Sequence, residues 1–71
     1  MDIAVEFKDK VYVVELKCNQ PAAAAIQQIR EKRYGEKYVQ SGRKIFLLGI
    51  NFDTHERAVK DWRLETLAEK E

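Results

Sequence analysis

VYVVELKCNQPAAAAIQQI, residues 11 to 29, changes its periodicity once, and the change sets the fold. Residues 11–16 are β-branched and aromatic, apolar at every position until Glu15. That pattern predicts a central strand, buried on both faces. Asn19-Gln20-Pro21 then opens a helix, because proline at the first helical position gives up an N–H that would have no partner anyway. Four alanines follow, the strongest helix formers. The inward stripe of that helix is predicted as Ala22, Ala25, Ile26, Ile29 and the aliphatic stem of Arg33. Gly35 is expected to interrupt it, with one more turn through Tyr38 and an end at Ser41-Gly42.

Outward from that stretch, residues 2–7 alternate large apolar side chains with small or polar ones, the period of a half-buried strand. Lys8, Asp9 and Lys10 make a turn. Residues 44–50, KIFLLGI, read as a second strand buried on both faces, and residues 51–56 as a polar loop. Residues 57–65 alternate charge with Val59, Trp62 and Leu64, as an edge strand does. The domain is predicted to span 1–65, with 66–71 a tail of frayed helix or coil. The unit is β-β-α-β-β, an α/β chain of the α+β kind. A strand–helix–strand crossover makes strands two and three parallel and right-handed. Short loops make the outer strands antiparallel, so a mixed four-stranded sheet in the order 1-2-3-4 is expected, with one helix on one face.

The composition is that of a globular domain: 71 residues, 45% apolar and 35% charged. The 13 basic and 12 acidic residues nearly cancel, so net charge gives no reason to propose a polyanion partner. A lone cysteine, Cys18, excludes an internal disulfide framework and fits a reducing, cytoplasmic setting; it is expected to be a small buried filler. No apolar run approaches the roughly 18 residues of a membrane helix. The N-terminus lacks the positive region of a signal peptide. The chain begins directly on a strand, as a piece cut from a longer protein would.

Register decides which side chains meet. An odd loop centred on Asp9 scrambles the apolar sets between the faces. An even loop pairs Phe7 with Lys10 and Asp2 with Glu15. One face then carries Ile3, Val5, Phe7, Tyr12, Val14 and Leu16, all apolar, and the other carries Asp2, Ala4, Glu6, Val11, Val13, Glu15 and Lys17. A one-residue slip flips every side chain, so the segregated register is expected. It brings Asp2, Glu15 and Lys17 together at one end of one face. Opposed carboxylates repel within about 5 Å. A divalent cation relieves the repulsion, and Mg²⁺ binds through one or two carboxylates while keeping several waters.

These residues resemble a family. Asp2, then Glu15-Leu16-Lys17 closing the next strand, then a helix, is similar to the PD-(D/E)XK nuclease superfamily. The closer resemblance is to the nuclease-like C-terminal domain of bacterial AAA-ATPase-like proteins. It runs through residues 11–17, through Ala25, Ile26, Gln27, Gln28 and Ile29, and through Lys32, Tyr34, Lys37 and Tyr38. It continues in residues 42–44 and 48–52, then Arg57 and Trp62. The resemblance implies a restriction-endonuclease-like partial core and Mg²⁺- or Mn²⁺-dependent hydrolysis of phosphodiesters in nucleic acid. It implies Asp2, Glu15 and the backbone carbonyl of Leu16 as metal ligands, and Lys17 as the catalytic cation. Gln28 is implied as an accessory residue on the helix face toward the site. Related nucleases place a tyrosine four residues after such a glutamine; here that position is Lys32, and the tyrosine is Tyr34. The helix and strand that usually precede the aspartate are expected to be missing, and the 71-residue piece alone to be inactive.

Other readings compete. Glu-x-Lys is a common triplet, about one being expected by chance with eight Glu and eight Lys; Glu6-Phe7-Lys8 is a second. A catalytically silent folding, assembly or nucleic-acid-docking module of an ATPase-like protein is the alternative function. Arg30, Lys32, Arg33, Lys37, Arg43 and Lys44 make a basic stretch. It reads as a solvated face suited to a helix C-terminus, or as a nucleic-acid contact through Arg30, Arg33 and Lys37. His55 has no second His or Cys nearby, which argues against a transition-metal site. Tyr12, Tyr34, Tyr38 and Trp62 are expected to pack in the core or at the sheet edge rather than stack on bases. Strands two and three are apolar on both sides and one helix covers only one. A homodimer of the piece is therefore expected, on the bare face or the open edge of strand one.

Overall fold

The computed structural model describes residues 2–67. Strands β1 (Asp2–Glu6) and β2 (Lys10–Cys18) form a hairpin. Helix α1 (Ala22–Lys32) and a 3₁₀ turn (Glu36–Ser41) lead to β3 (Lys44–Asp53), and β4 (Ala58–Thr66) closes the sheet. The sheet has four strands in the order β1-β2-β3-β4, β2 and β3 parallel and the outer pairs antiparallel. The predicted architecture is the observed one.

The hairpin register is the segregated one. Phe7 N–H donates to the Lys10 carbonyl (2.8 Å), and Asp2 stands opposite Glu15. One face carries Val11, Val13, Ile45 and Leu47, buried against Ala22, Ala25, Ile26 and Ile29 of α1. Gly49 sets how closely the helix approaches. A Cβ there would stand 2.5 Å from the Ala22 carbonyl oxygen and 3.1 Å from both Ala25 Cβ and Ile26 Cγ1. The helix N-terminus therefore rests almost on the backbone of β3, beside Glu15, the register partner of Gly49.

The helix end departs from the prediction. Arg33 does not extend the inward stripe, because it adopts a left-handed conformation (φ 58°) and ends α1. Tyr34 N–H then donates back to the Ile29 carbonyl (3.2 Å), and the Tyr34 ring packs on the core. This is the usual helix stop, with the apolar residue after the left-handed one folding back on the last turn. Gly35 has an ordinary φ of −84° and is not the break. Its hypothetical Cβ meets only van der Waals contacts at 3.4 Å or more. Gly35→Ala is accordingly expected to hold or raise stability by up to about 1 kcal/mol through the unfolded chain. Arg33→Gly should gain about 1 kcal/mol by relieving the left-handed backbone. Urea denaturation of the two variants checks both signs.

Three further differences have local causes. Residues 51–53 continue β3 rather than opening the loop, because the ends of β2 and β3 are tied together. Asn19 N–H donates to the Phe52 carbonyl (2.9 Å), Asn19 Nδ2 donates to Thr54 Oγ1 (2.8 Å), and Thr54 N–H donates to Asn19 Oδ1 (3.1 Å). Cys18 is exposed, not a buried filler, because it falls on the uncovered face at the very end of β2. Thr66 belongs to β4, and Leu67 packs on the core with its N–H on the Ile45 carbonyl (2.9 Å). Residues 68–71 of the predicted tail lie outside the described residues.

The other face of the sheet has no cover among the described residues. Tyr12 stacks on Phe46 (5.1 Å between ring centres) and meets Phe7 edge-on (6.0 Å). Around them Ile3, Val5, Val59 and Leu64 are exposed, and Trp62 is 63% exposed. Tyr34 and Tyr38 pack on the core, and Trp62 stands at the sheet edge on β4 with its side chain mostly exposed. Among the described residues no helix is long and apolar enough to cross a membrane.

Candidate active site

Position i+2 along β2 returns to the same face, so Glu15 and Lys17 point together toward the side that α1 covers. Asp2 joins them as the cross-strand partner of Glu15. The three predicted residues are thus gathered at one end of the sheet, beside the start of α1. Their surroundings differ. Glu15 is 1% exposed, Lys17 is half-buried and Asp2 is exposed on the edge strand. A carboxylate withdrawn from water that far costs several kcal/mol unless partners offset it.

Beyond Glu15, β3 supplies Asn51, which lies in the strand and not in the loop expected over residues 51–56. Asn51 is the register partner of Lys17 and is 7% exposed. Its Oδ1 accepts the N–H of Gln20 at 3.1 Å. That bond fixes the two-residue passage from β2 into Pro21 and so the entry angle of α1 over the site. The signal was available, because Asn51 continues the alternation of Ile45, Leu47 and Gly49 on the buried side.

Gln28 is half-buried, on the flank of α1 opposite Arg30 by the helical period. Arg30 faces β4, where its guanidinium bonds Glu65 Oε1 at 2.8 Å, so Gln28 faces the β1–β2 side. The arginine holds the Glu65 carboxyl below its usual pKa, first by that hydrogen bond, with Arg63 adding to it. The sign follows: the pair stabilises the fold above the unfolded carboxylate range near 4.5, and that contribution disappears as pH falls through the lower folded value. Glu65→Gln is expected to lose less than about 1 kcal/mol at pH 7 and nothing at strongly acid pH, measured by denaturation at both.

The residues expected to contact nucleic acid are not brought to this site. Arg30 and Arg33 sit at the far end of α1, about 16 Å from its start for eleven residues, and Lys37 lies beyond it in the 3₁₀ turn. Arg30 is engaged by Glu65, and the Lys37 ammonium lies over the Tyr38 ring (5.4 Å). Arg43 is engaged too, its guanidinium bonding Glu6 Oε1 (3.2 Å) and the Phe7 carbonyl (3.1 Å), which ties the β1–β2 turn to β3.

On the other side of the α1 start is an open cleft of about 500 Å³, lined by Asn19, Gln20, Pro21, Asn51, Asp53, Lys60 and Asp61. Sequence reading gave no hint of it.

The donor set at Asp2 and Glu15 suits a hard divalent cation: two carboxylates directly opposed on neighbouring strands, with the Leu16 carbonyl between Glu15 and Lys17. No cluster of three His, Cys, Asp or Glu side chains occurs among the described residues, so a cation there would rest on this pair and on main-chain oxygen.

Residues 1–62 match the family model of the PD-(D/E)XK nuclease superfamily. The chain is also 38% identical over 69 residues to an uncharacterized protein in the vnfD 5′ region of Azotobacter chroococcum mcd 1. That alignment covers 94% of this chain but 13% of the relative, so the chain spans about an eighth of the relative's length. No solved structure matches the chain. With the match spanning β1 to β3, α1, the first half of β4 and the Asp2, Glu15 and Lys17 positions, the chain belongs to the PD-(D/E)XK nuclease superfamily.

Proposed function

We propose that this domain is the metal-binding half of a Mg²⁺-dependent nuclease-like site acting on phosphodiesters of nucleic acid. The observation that carries the reading is the register: Asp2 opposite Glu15, with Lys17 two residues on along the same face. Asp2, Glu15 and the Leu16 carbonyl would hold Mg²⁺ or Mn²⁺. A bound cation of this kind polarises a phosphoryl oxygen and makes a water more acidic. The chain's own part is to fix geometry and charge. Asp2 and Glu15, opposed on two paired strands, would offer their carboxylates to one cation. The Lys17 ammonium donates to a phosphoryl oxygen on which negative charge grows as the water oxygen bonds to phosphorus and the P–O bond to the leaving sugar breaks. The attacking water releases its proton to solvent, and the leaving oxygen takes one from solvent. Gln28 would support this from the flank of α1.

Because the 71-residue piece alone is expected to be inactive, the roles are tested by cleavage of nucleic acid in the presence of Mn²⁺ with a longer chain that carries this domain, wild type included. Lys17→Ala should keep cation affinity and reduce cleavage at least about 100-fold, the scale of losing one preorganised donor. Cleavage that survives Lys17→Ala contradicts the assignment. Cation binding without cleavage by wild type favours the second reading, a silent docking or assembly module. The near-complete burial of Glu15 is the observation on its side. In a longer chain we place an ATPase-like domain upstream; the support is the resemblance of residues 11–62 and the relative's much greater length.

The bare face implies assembly of the isolated domain. Three strands of nine or ten residues and β1 of five, about 4.8 Å apart, give a four-stranded face of roughly 500 Å². Two copies stacked face to face bury about 1,000 Å², the lower bound of a specific interface. A two-fold homodimer centred on Trp62 and Tyr12 is expected, and Trp62→Lys should dissociate it. Sedimentation velocity checks this; a wild-type monomer at micromolar concentration contradicts it.

A further inference from the structure

The cleft beside the start of α1 owes its lysine to an irregularity in β4. From Phe46↔Thr66 to Asn51↔Asp61 the β3–β4 pairing keeps one register, but Phe52 pairs with Val59, which leaves Lys60 as an extra residue, a β-bulge. Simple alternation from Leu64 and Trp62 would put Lys60 on the apolar face. The bulge instead gives that place to Val59, which lines the apolar surface with Trp62 and Leu64, and turns Lys60 into the cleft beside Asp61. Bulges re-aim side chains in this way and recur next to active sites.

We propose that this cleft binds one nucleotide of a nucleic-acid strand, with Lys60 on its phosphate and Asp61 and Asn51 on hydrogen-bonding groups of its sugar or base. The proposal rests on the nuclease reading above and extends it to substrate contact. The volume, about 500 Å³, lies within the usual range for small-ligand sites. The lining combines a cation, an acceptor and an amide. Among the described residues neither Lys60 nor Asp61 forms an ion pair, and both stand on β4. Asp53 is oriented by its own loop, its Oδ1 accepting the N–H groups of His55 (2.8 Å) and Glu56 (3.1 Å). Asn51 joins the cleft to the candidate active site, being the register partner of both Lys17 and Asp61. Two strand spacings, about 10 Å, separate Lys17 from Asp61. A strand whose scissile phosphate meets Lys17 thus carries a neighbouring nucleotide into the cleft.

The test is fluorescence anisotropy of short labelled RNA and DNA oligonucleotides with the full chain, without divalent metal and over a range of salt. Lys60→Ala should weaken binding about 5- to 10-fold and lower the magnitude of the log–log salt slope by about one, and Lys60→Arg should restore both. Asp61→Asn should alter the preference between RNA and DNA or among bases without that change in slope. Both side chains are exposed, so the variants should fold like wild type. Affinity unchanged by Lys60→Ala, or lost instead on changing Arg33 and Lys37, overturns the proposal. So does the absence of wild-type affinity at low salt. Cation binding by Asp2 and Glu15, measured without nucleic acid, separates failure of the cleft from failure of the nuclease reading.

Discussion

Gly49→Val is expected to unfold the domain, and Gly49→Ala to destabilise it by about 1–3 kcal/mol, the range for overpacking a filled core. The cause is backbone against backbone. An added Cβ lands 2.5 Å from the Ala22 carbonyl oxygen, and no rotamer of a neighbouring side chain can relieve that. The only relief is to lift the first turn of α1 off the sheet. That would also uncover Glu15, which lies beside Gly49 on β2, and strain the bond from Gln20 N–H to Asn51 Oδ1. A 71-residue chain has little stability to lose. Denaturant midpoints check the prediction; Gly49→Ala at wild-type stability would mean that α1 does not seat on β3 as described.

The second large effect falls on cation binding. Glu15→Leu is expected to remove any affinity for divalent cations and to lower stability. At 1% exposure the carboxylate is held by partners in the protein, and the change leaves them unsatisfied. A buried polar group stripped of its partner costs about 1–3 kcal/mol. Denaturant midpoints and calorimetric titration check the two effects. Cation binding that survives Glu15→Leu would make Glu15 part of the structural framework alone and favour the silent module.

Register and topology were legible in the sequence because alternation is a strong constraint. Only one hairpin register keeps Ile3, Val5, Phe7, Tyr12, Val14 and Leu16 on one face, and that register is the observed one. The meeting of Asp2, Glu15 and Lys17 followed from it without further information. What was not legible depended on single residues in uncommon backbone states. Arg33 in the left-handed region is selected by Tyr34 returning to the core, a tertiary effect with no local mark. The bulge at Lys60 did leave one mark. Val59 and Trp62 are three residues apart, whereas Trp62 and Leu64 are two apart, and both spacings serve the same apolar face only if an extra residue intervenes. Asn51 was missed because polar character was read as loop, although its partner across the sheet is Lys17.

Calorimetric titration of the domain with Mn²⁺ and Mg²⁺ tests the central claim most directly. Wild type should bind one cation per chain weakly, Asp2→Ala and Glu15→Ala should each abolish the binding, and Lys17→Ala should retain it. Equal heats from wild type and Glu15→Ala would contradict the assignment of Asp2 and Glu15 as the metal ligands of this nuclease-like domain.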